Sequence, residues 1–445
     1  MAKNVFIQSA DTEMSLDLLR EAIMAHQALA SRKYLPLKMM YEGDHDILHN
    51  EKKEGYKPDN RLVVNFAKYI VDTFNGYFIG NPIQTTHDDK EVADYLDYLD
   101  GYNDQDDNNA ELSKLCSIYG HAYEVVFADE SAQIGLDYLS PLEAFLIYDD
   151  SIRRKPLFGV FYYLNAEDKI EGSWCDSDRI VYFKQGTKGY EITDEQEHYF
   201  GAVPIIEYVE NEEKQSIFEN VRTLINAFNK ALSEKANDVE YYADAYLKIL
   251  GGELDEETLE KLRDKRIINI ASNGGEAVAV EFLSKPDADG TQENLLERLQ
   301  SLIFEMAMVA NISDENFGAS SGIALRYKLQ SMDNLARVKE RKFTSGMNRR
   351  YHLISNFPTS KISDDDWASI RYKFTRNIPA NLLEETQIAQ NLAGIVSNET
   401  QLSTLSIVPN PIAELEKKES EIVDQEQPIQ RGLLEEPSEP NVEQS

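Results

Sequence analysis

Ser216-Ile217-Phe218-Glu219-Asn220-Val221-Arg222-Thr223-Leu224-Ile225-Asn226-Ala227-Phe228 opens the stretch whose reading decides the fold. Ser216 and Glu219 have the spacing of a capping box, in which each side chain satisfies one unpaired amide at a helix start. Apolar positions then recur at helical spacing, at Val221, Leu224, Ile225, Phe228, Leu232, Val239, Tyr246, Leu247 and Leu250, up to the stop signal Gly251-Gly252. The pattern predicts a single helix of about 34 residues, roughly 50 Å long. That is several times the ordinary globular length.

Working outward, residues 291–310 supply an antiparallel partner with the stripe Leu295, Leu299, Leu302, Ile303, Met306 and Val309. Between the two lies a small insert. Asp255 to Arg266 reads as a short charged helix, and Ile267–Ala271 and Ala277–Phe282 as strands around the hairpin signal Asn273-Gly274-Gly275. A piece of about 40 residues buries little core of its own, so it needs a partner surface. Beyond the second helix, Ile312 to Gly322 is polar, with a lone Phe317 beside Gly318, Ala319, Ser320, Ser321 and Gly322. A third long helix follows from Ile323 to Ser355, striped by Leu325, Leu329, Met332, Ala336, Phe343, Met347, Tyr351 and Ile354, with Gly346 as a kink position.

Upstream, residues 14–40 predict one helix, Glu42–Asn60 a loop, and Val63, Phe66, Ala67, Ile70, Phe74, Tyr77 and Phe78 a helix ended by Gly80-Asn81-Pro82. Asp88–Leu99 predicts a third helix and Gly101–Asn109 a polar loop. From 122 to 209 the texture turns to short aromatic and β-branched runs (Tyr123–Phe127, Phe145–Tyr148, Val160–Leu164, Ile180–Phe183, Ile205–Val209) separated by turn clusters, which is a β-rich module. Downstream, Trp367–Phe374 reads as a strand and Leu383–Ile395, Thr400–Leu405 and Pro411–Val423 as helices. The tail from Gln425, rich in Glu, Gln, Pro and Ser, reads as disordered.

The chain has 445 residues, 42% hydrophobic and 28% charged, the composition of a soluble globular protein of about three units. Its net charge of −34 excludes a generic basic nucleic-acid binder. One segment departs from that balance. Between Ile323 and Lys361 nine basic residues (Arg326, Lys328, Arg337, Lys339, Arg341, Lys342, Arg349, Arg350 and Lys361) face two acidic ones, and most flank the apolar stripe, open to phosphates, acidic protein surface or solvent. Cys116 and Cys175 form neither a disulfide framework nor a four-thiolate zinc site, which makes a reducing compartment the default. The N-terminus carries too short an apolar run for a signal peptide, and Leu62–Ile79 is too interrupted by polar residues to span a membrane.

No phosphate-binding loop, dinucleotide fingerprint, zinc-protease helix or nucleophile elbow is present. Asp44, His45, Asp46 and His49 have a metal-compatible spacing only on a helix, and Gly43 with its polar neighbours argues for a loop. Asp364-Asp365-Asp366 and the run Asp94–Asp107 offer clustered carboxylates but lack the calcium-loop pattern, and read as solvated surface. Cys116 and His121 lack a third member for a nucleophilic site.

Three groups of motifs, in order along the chain, resemble bacteriophage portal proteins of the type found in siphophages of Gram-positive hosts. They are Tyr41-Glu42-Gly43-Asp44-His45 with Asn65–Thr73 and Gly76–Pro82, then Ala236-Asn237-Asp238 with Leu247–Gly251, and most specifically Asn311–Gly318 with Ser320–Leu325. The resemblance covers roughly residues 40 to 420 and implies an α+β portal fold assembled as a ring, usually a dodecamer. Residues 1–216 would be the wing, helical to about 110 and β-rich over 111–216. The stem helices would be 217–250 and 291–310, flanking a small α/β clip at 251–290. A tunnel loop at 311–322 would bring Asp314, Glu315, Asn316, Phe317, Gly318, Ala319, Ser320 and Ser321 toward DNA. The basic helix 323–360, a helical crown at 361–424 and an acidic tail at 425–445 would complete the chain. Double-stranded DNA, terminase, a head-tail adaptor, capsid and scaffolding proteins and further copies of the chain are the implied partners. The implied place is the capsid vertex, assembled in the host cytoplasm, with no cofactor, nucleotide, metal, catalytic residue or membrane. A mostly acidic channel slides on DNA instead of gripping it. A metal-dependent nuclease using the carboxylate clusters is the competing class, and a shorter ring-forming adaptor the structural alternative.

Overall fold

The computed structural model describes residues 5–53, 58–243, 247–250, 279–282, 289–312, 322–378, 382–405, 407–408 and 410–420. Two compact units divide the chain, Met1–Asn377 and Ile378–Ser445.

The first unit begins with a short strand, β1 (Ile7–Gln8), and α1 (Leu16–Leu29), capped by Ser15 Oγ accepting from the Leu18 amide. A π-helical turn (Ala30–Tyr34) carries α1 into α2 (Leu35–Glu42), so the helix expected over 14–40 is one run with a wide turn inside it. Helix α3 (Phe66–Ile79), capped by Asn65, buries Phe66, Ala67, Ile70, Phe74, Tyr77 and Phe78 as its periodicity predicts, and Val71 besides. After β2 (Gln84–Thr86) and α4 (Lys90–Tyr102) comes the first correction. The polar run read as a loop over Gly101–Asn109 is mostly the first turns of α5 (Gln105–Tyr119). Its buried face carries Gln105, Asn109, Ser113 and Ser117 among Leu112, Cys116 and Ile118. Because that face is half polar, hydrophobic periodicity did not reveal it. The helix stops at Gly120 (φ +88°), where a Cβ would fall 2.2 Å from the Lys214 carbonyl oxygen, so only glycine fits.

The β module is two sheets. Strands β3 (His121–Ala128), β4 (Ile134–Leu139) and β10 (Ile205–Val209) form one, in the order β10-β3-β4. Strands β5 (Ala144–Asp149), β6 (Pro156–Leu164), β7 (Ile170–Cys175), β8 (Arg179–Gly186) and β9 (Gly189–Glu197) form the other, an antiparallel meander to which β1 adds in parallel beside β5. Phe145, Ile147, Phe158 and Val160 pack with Leu19, Ala22 and Ile23 of α1, while Ala144, Leu146 and Cys175 pack with Tyr123 and Ile205 of the smaller sheet. Strand β5 is therefore apolar on both faces, as a strand between two layers must be.

The expected capping box forms with a shifted partner: the Ser216 amide donates to Glu219 Oε2 (3.1 Å), and Ser216 Oγ accepts from the Phe218 amide (3.4 Å), not that of Glu219, while donating to the Ser117 carbonyl (2.9 Å) and so tying the turn to α5. A 3₁₀ turn (Glu219–Val221) leads into α6 (Arg222–Ala243), 22 residues long. The helix does not reach Gly251: Leu247–Leu250 is strand β11, antiparallel to β12 (Ala279–Phe282). Leu-Lys-Ile-Leu fits a period of two as well as a helical one, and the partner strand decides. The charged helix and the hairpin read within 251–278 lie outside the described residues. Helix α7 (Asp289–Ala307) runs antiparallel to α6, with Asn220 donating to the Met306 carbonyl at one end (2.9 Å) and Gln292 donating to Asp238 at the other (3.1 Å).

The third long helix is present as α8 (Gly322–Ser355), 34 residues continuous through Gly346. A 3₁₀ turn (Trp367–Ser369) and β13 (Arg371–Lys373), paired antiparallel with β2, replace the longer strand expected at 367–374 and complete the first unit. The second unit contains α9 (Leu382–Leu392), α10 (Asn398–Leu402) and a helix over 411–420. The tail from 425 lies outside the described residues.

Candidate functional site

Helix α8 buries Leu329, Met332, Ala336, Lys339, Phe343, Met347, Arg350 and Ile354, a strip stepping by three and four residues. Two of its predicted surface cations are therefore on the core-facing strip, and the assignment of Lys339 and Arg350 to DNA or neighbouring subunits is corrected. Lys339 Nζ lies 2.7 Å from Glu210 Oε2 and donates to the Ser113 carbonyl (2.9 Å) and Ser117 Oγ (2.8 Å). Arg350 straddles Glu124, with Nε to Oε2 at 2.9 Å and Nη2 to Oε1 at 2.6 Å, and donates to Asn109 Oδ1 (2.7 Å). Each buried charge thus meets an opposite charge and neutral acceptors, the condition for tolerating it.

The remaining cations of the helix are arranged differently. Arg326 and Lys328 are exposed. Arg337 pairs one turn back with Asp333 (2.8 Å), Arg341 donates to the Arg337 carbonyl (3.3 Å), and Lys342 pairs with Glu212. Arg349 is half-buried, and burial lowers its pKa. Arg376, which sequence reasoning missed, bridges back to α8 through Glu340 (2.5 Å) and Asp333 (3.5 Å). Gly346 sits under Tyr208, where a Cβ would come within 2.4 Å of the ring; the glycine admits an aromatic side chain from β10. The residues Asp314 to Ser321, expected to meet DNA, lie outside the described residues. On the near side of that segment the Ile312 amide donates to Tyr69 Oη (2.9 Å).

The acceptor Glu124 was legible as an anomaly, since an isolated glutamate within an apolar strand announces a buried partner, whereas Glu210 is hidden among Glu207, Glu212 and Glu213. A second missed feature lies on α6. The amides of Val64, Leu62 and Asn60 donate to Asn229 Oδ1 (2.9 Å), Ser233 Oγ (2.9 Å) and Asn237 Oδ1 (2.6 Å). Two residues of extended chain and four of helix both advance about 6 to 7 Å, so the ladder stays in step.

The weaker chemical readings are separated by geometry. His49 turns to Asp44 (2.6 Å), Asp46 accepts from Asn226 (2.7 Å) and His45 Nδ1 faces Asn229 (3.3 Å), so the four residues do not converge. Among the described residues no three His, Cys, Asp or Glu side chains gather as a metal site. His121 bonds Glu207 (2.7 Å) and Tyr34 (2.8 Å), while the Cys116 thiol, raised by burial, points to the Tyr208 carbonyl (3.5 Å). No Cys–His pair forms. Among the described residues no helix is long and apolar enough to cross a membrane.

A two-sheet module, an antiparallel helix pair tipped by a small sheet, and a 34-residue helix pinned by buried ion pairs define an α+β structural subunit. A profile of phage portal proteins, SPP1 Gp6-like, matches residues 20–428. The portal protein of Clostridium phage phiCD119 is 24% identical over 416 residues, 86% of this chain and 91% of its own. That of Bacillus phage SPP1 is 24% identical over 406 residues, covering 85% and 79%. Among solved structures, the neck of an empty GTA particle computed with C6 symmetry aligns at a TM-score of 0.45 and 12% identity, over 75% of this chain and 88% of that one. The chain belongs to the phage portal protein family, SPP1 Gp6-like. Its function is that of a portal, the head-to-tail connector of the virion through which viral DNA is packaged and later ejected.

Proposed function

We propose that about twelve copies of this chain close into the ring, with α6 and α7 as the stem and the region between them as the clip. The observation that carries this reading is the antiparallel α6–α7 pair joined through β11 and β12, since a short two-stranded sheet beyond a helix pair has too little core to stand without neighbours. Asp314 to Ser321, which follow α7 and precede α8 along the chain, are the tunnel-loop residues that meet the passing duplex, Asn316 and Phe317 among them. Terminase and the head-tail adaptor dock on the ring, capsid and scaffolding proteins surround it, and assembly takes place in the host cytoplasm. Arg326, Lys328, Arg337, Arg341, Lys342 and Arg349 are the cations of α8 left for DNA or for neighbouring subunits. The chain hydrolyses nothing, and the ATP of packaging is spent by a separate motor.

Native mass spectrometry with negative-stain electron microscopy tests the assembly. Rings of about twelve copies with a hole wide enough for duplex DNA are expected. A monomer that cleaves DNA when magnesium is added would overturn the reading in favour of a nuclease.

A further inference from the structure

Residues 58–64 lie along α6 without placing a fully buried side chain in the core: Leu62 is 40% exposed, and the others are half-buried or exposed. What holds the segment is the backbone ladder to Asn229, Ser233 and Asn237, flanked by Asn60 Nδ2 to Glu240 (2.6 Å), the Lys53–Glu234 pair (2.8 Å) and Arg61 donating to the Leu48 carbonyl (2.9 Å). Beneath it α6 presents a polar strip. Asn229, Ser233 and Asn237 are 1%, 2% and 6% exposed, and Asn226 continues the row toward Asp46. The apolar strip of the same helix, Ile225 and Phe228, faces the core together with Val221 of the preceding turn.

This arrangement has a thermodynamic consequence. A segment docked by fully buried apolar side chains uncovers all of their surface when it leaves, whereas this one uncovers amides, a hydroxyl and only the partly buried Val63 and Val64, the latter packed against the core. Exchanging such hydrogen bonds for water is close to neutral, so opening here costs far less than unfolding. The segment also has a fixed end. Asn65 caps α3, Phe66 and Ala67 are buried, and the Phe66 ring meets Phe228 of α6 edge-on at 5.0 Å.

We infer that residues 58–64 are a releasable strap: closed, it ties α6 to the layer of α2 and α3; open, it uncovers the polar strip of α6 while α6 stays packed on α7 and the fold stays intact. The three bonds act as one unit, because an extended chain pinned at Asn65 lifts from its far end.

Hydrogen exchange on the full-length protein tests the strap. The amides of Asn60, Leu62 and Val64 are expected to exchange together, orders of magnitude faster than those of Ile70 and Val71 in α3, and without dependence on low denaturant. Ser233→Ala should speed all three by about fivefold, the loss of one net hydrogen bond, and leave α3 unchanged. Exchange that tracks α3 with the same denaturant dependence would overturn the proposal, and so would an effect of Ser233→Ala confined to Leu62. A role in DNA passage rests on the portal reading and is tested separately with Asn60→Cys plus Asn237→Cys, since the native Cys116 and Cys175 are buried. Particles carrying the fully oxidised pair should lose packaging or ejection and regain it on reduction; full activity in that state would refute the role in DNA passage.

Discussion

Lys339 Nζ and Glu210 Oε2 stand 2.7 Å apart, with 0% and 2% of their side chains open to solvent, and join the middle of the longest helix to the end of β10. Two serines of α5 complete the ammonium's partners, and the rings of Phe74 and Phe78 lie 5.3 and 5.2 Å from it. One cation thus holds three elements together.

Replacing Lys339 with Ala leaves Glu210 buried without its counter-charge, and the expected cost is about 3–5 kcal/mol. Lys339→Met with Glu210→Gln should cost much less than either single change, because no unpaired charge remains. Denaturant titration of the four proteins checks the cycle; equal losses in the single and double variants would show that the ions themselves supply the stability.

Gly346→Ala improves helix propensity by up to about 1 kcal/mol. It also drives a methyl to 2.4 Å from the Tyr208 ring, which is fully buried and packed 4.8 Å from Phe343. A net destabilisation of about 1–3 kcal/mol is expected, as for other overpacked sites. A raised melting temperature would contradict it.

Asp100 gives the fold a pH dependence. Burial pushes its carboxyl up to about 6, the charge of Arg350 pulls it down, and Asp106 and Asp97 push it up. With the folded pKa above the unfolded value, protonation favours the fold: the contribution is full below about pH 4 and is lost as pH rises through 6. Asp100→Asn should therefore stabilise the protein at pH 7.5 by roughly 2–3 kcal/mol and leave it nearly unchanged at pH 4. Melting curves at the two pH values decide.

Deleting residues 314–321 should leave rings assembled and impair DNA packaging or retention. Electron microscopy of the purified variant with a packaging assay separates the two effects, and loss of the rings would make this segment structural.

How much could be read in advance varied with the physics of each element. Helix α3 and the long helix α8 were legible because their apolar spacing is dense and their ends are marked, by Asn65 and Gly80 for α3 and by Asn356-Phe357-Pro358 for α8. Helix α5 was not, since half of its buried face is Gln105, Asn109, Ser113 and Ser117, whose partners come from β3, β10, α3 and α8. Strands β4, β7 and β9 were missed for a related reason: with glycines and charges in them, their pairing is set by neighbouring strands.

The sequence by itself determined the long helices α3 and α8, the presence of a β-rich module, the α+β class, the acidic balance and the resemblance to portal proteins, because these depend on local spacing and composition. Only the tertiary structure decided where α6 ends, since Leu247–Leu250 fits either period until Ala279–Phe282 pairs with it. It alone also decided that Lys339 and Arg350 of α8 are buried. A lysine or arginine reads as surface from sequence because burying its charge is costly, and that cost is met here by Glu210 and Glu124, which lie 129 and 226 positions away along the chain.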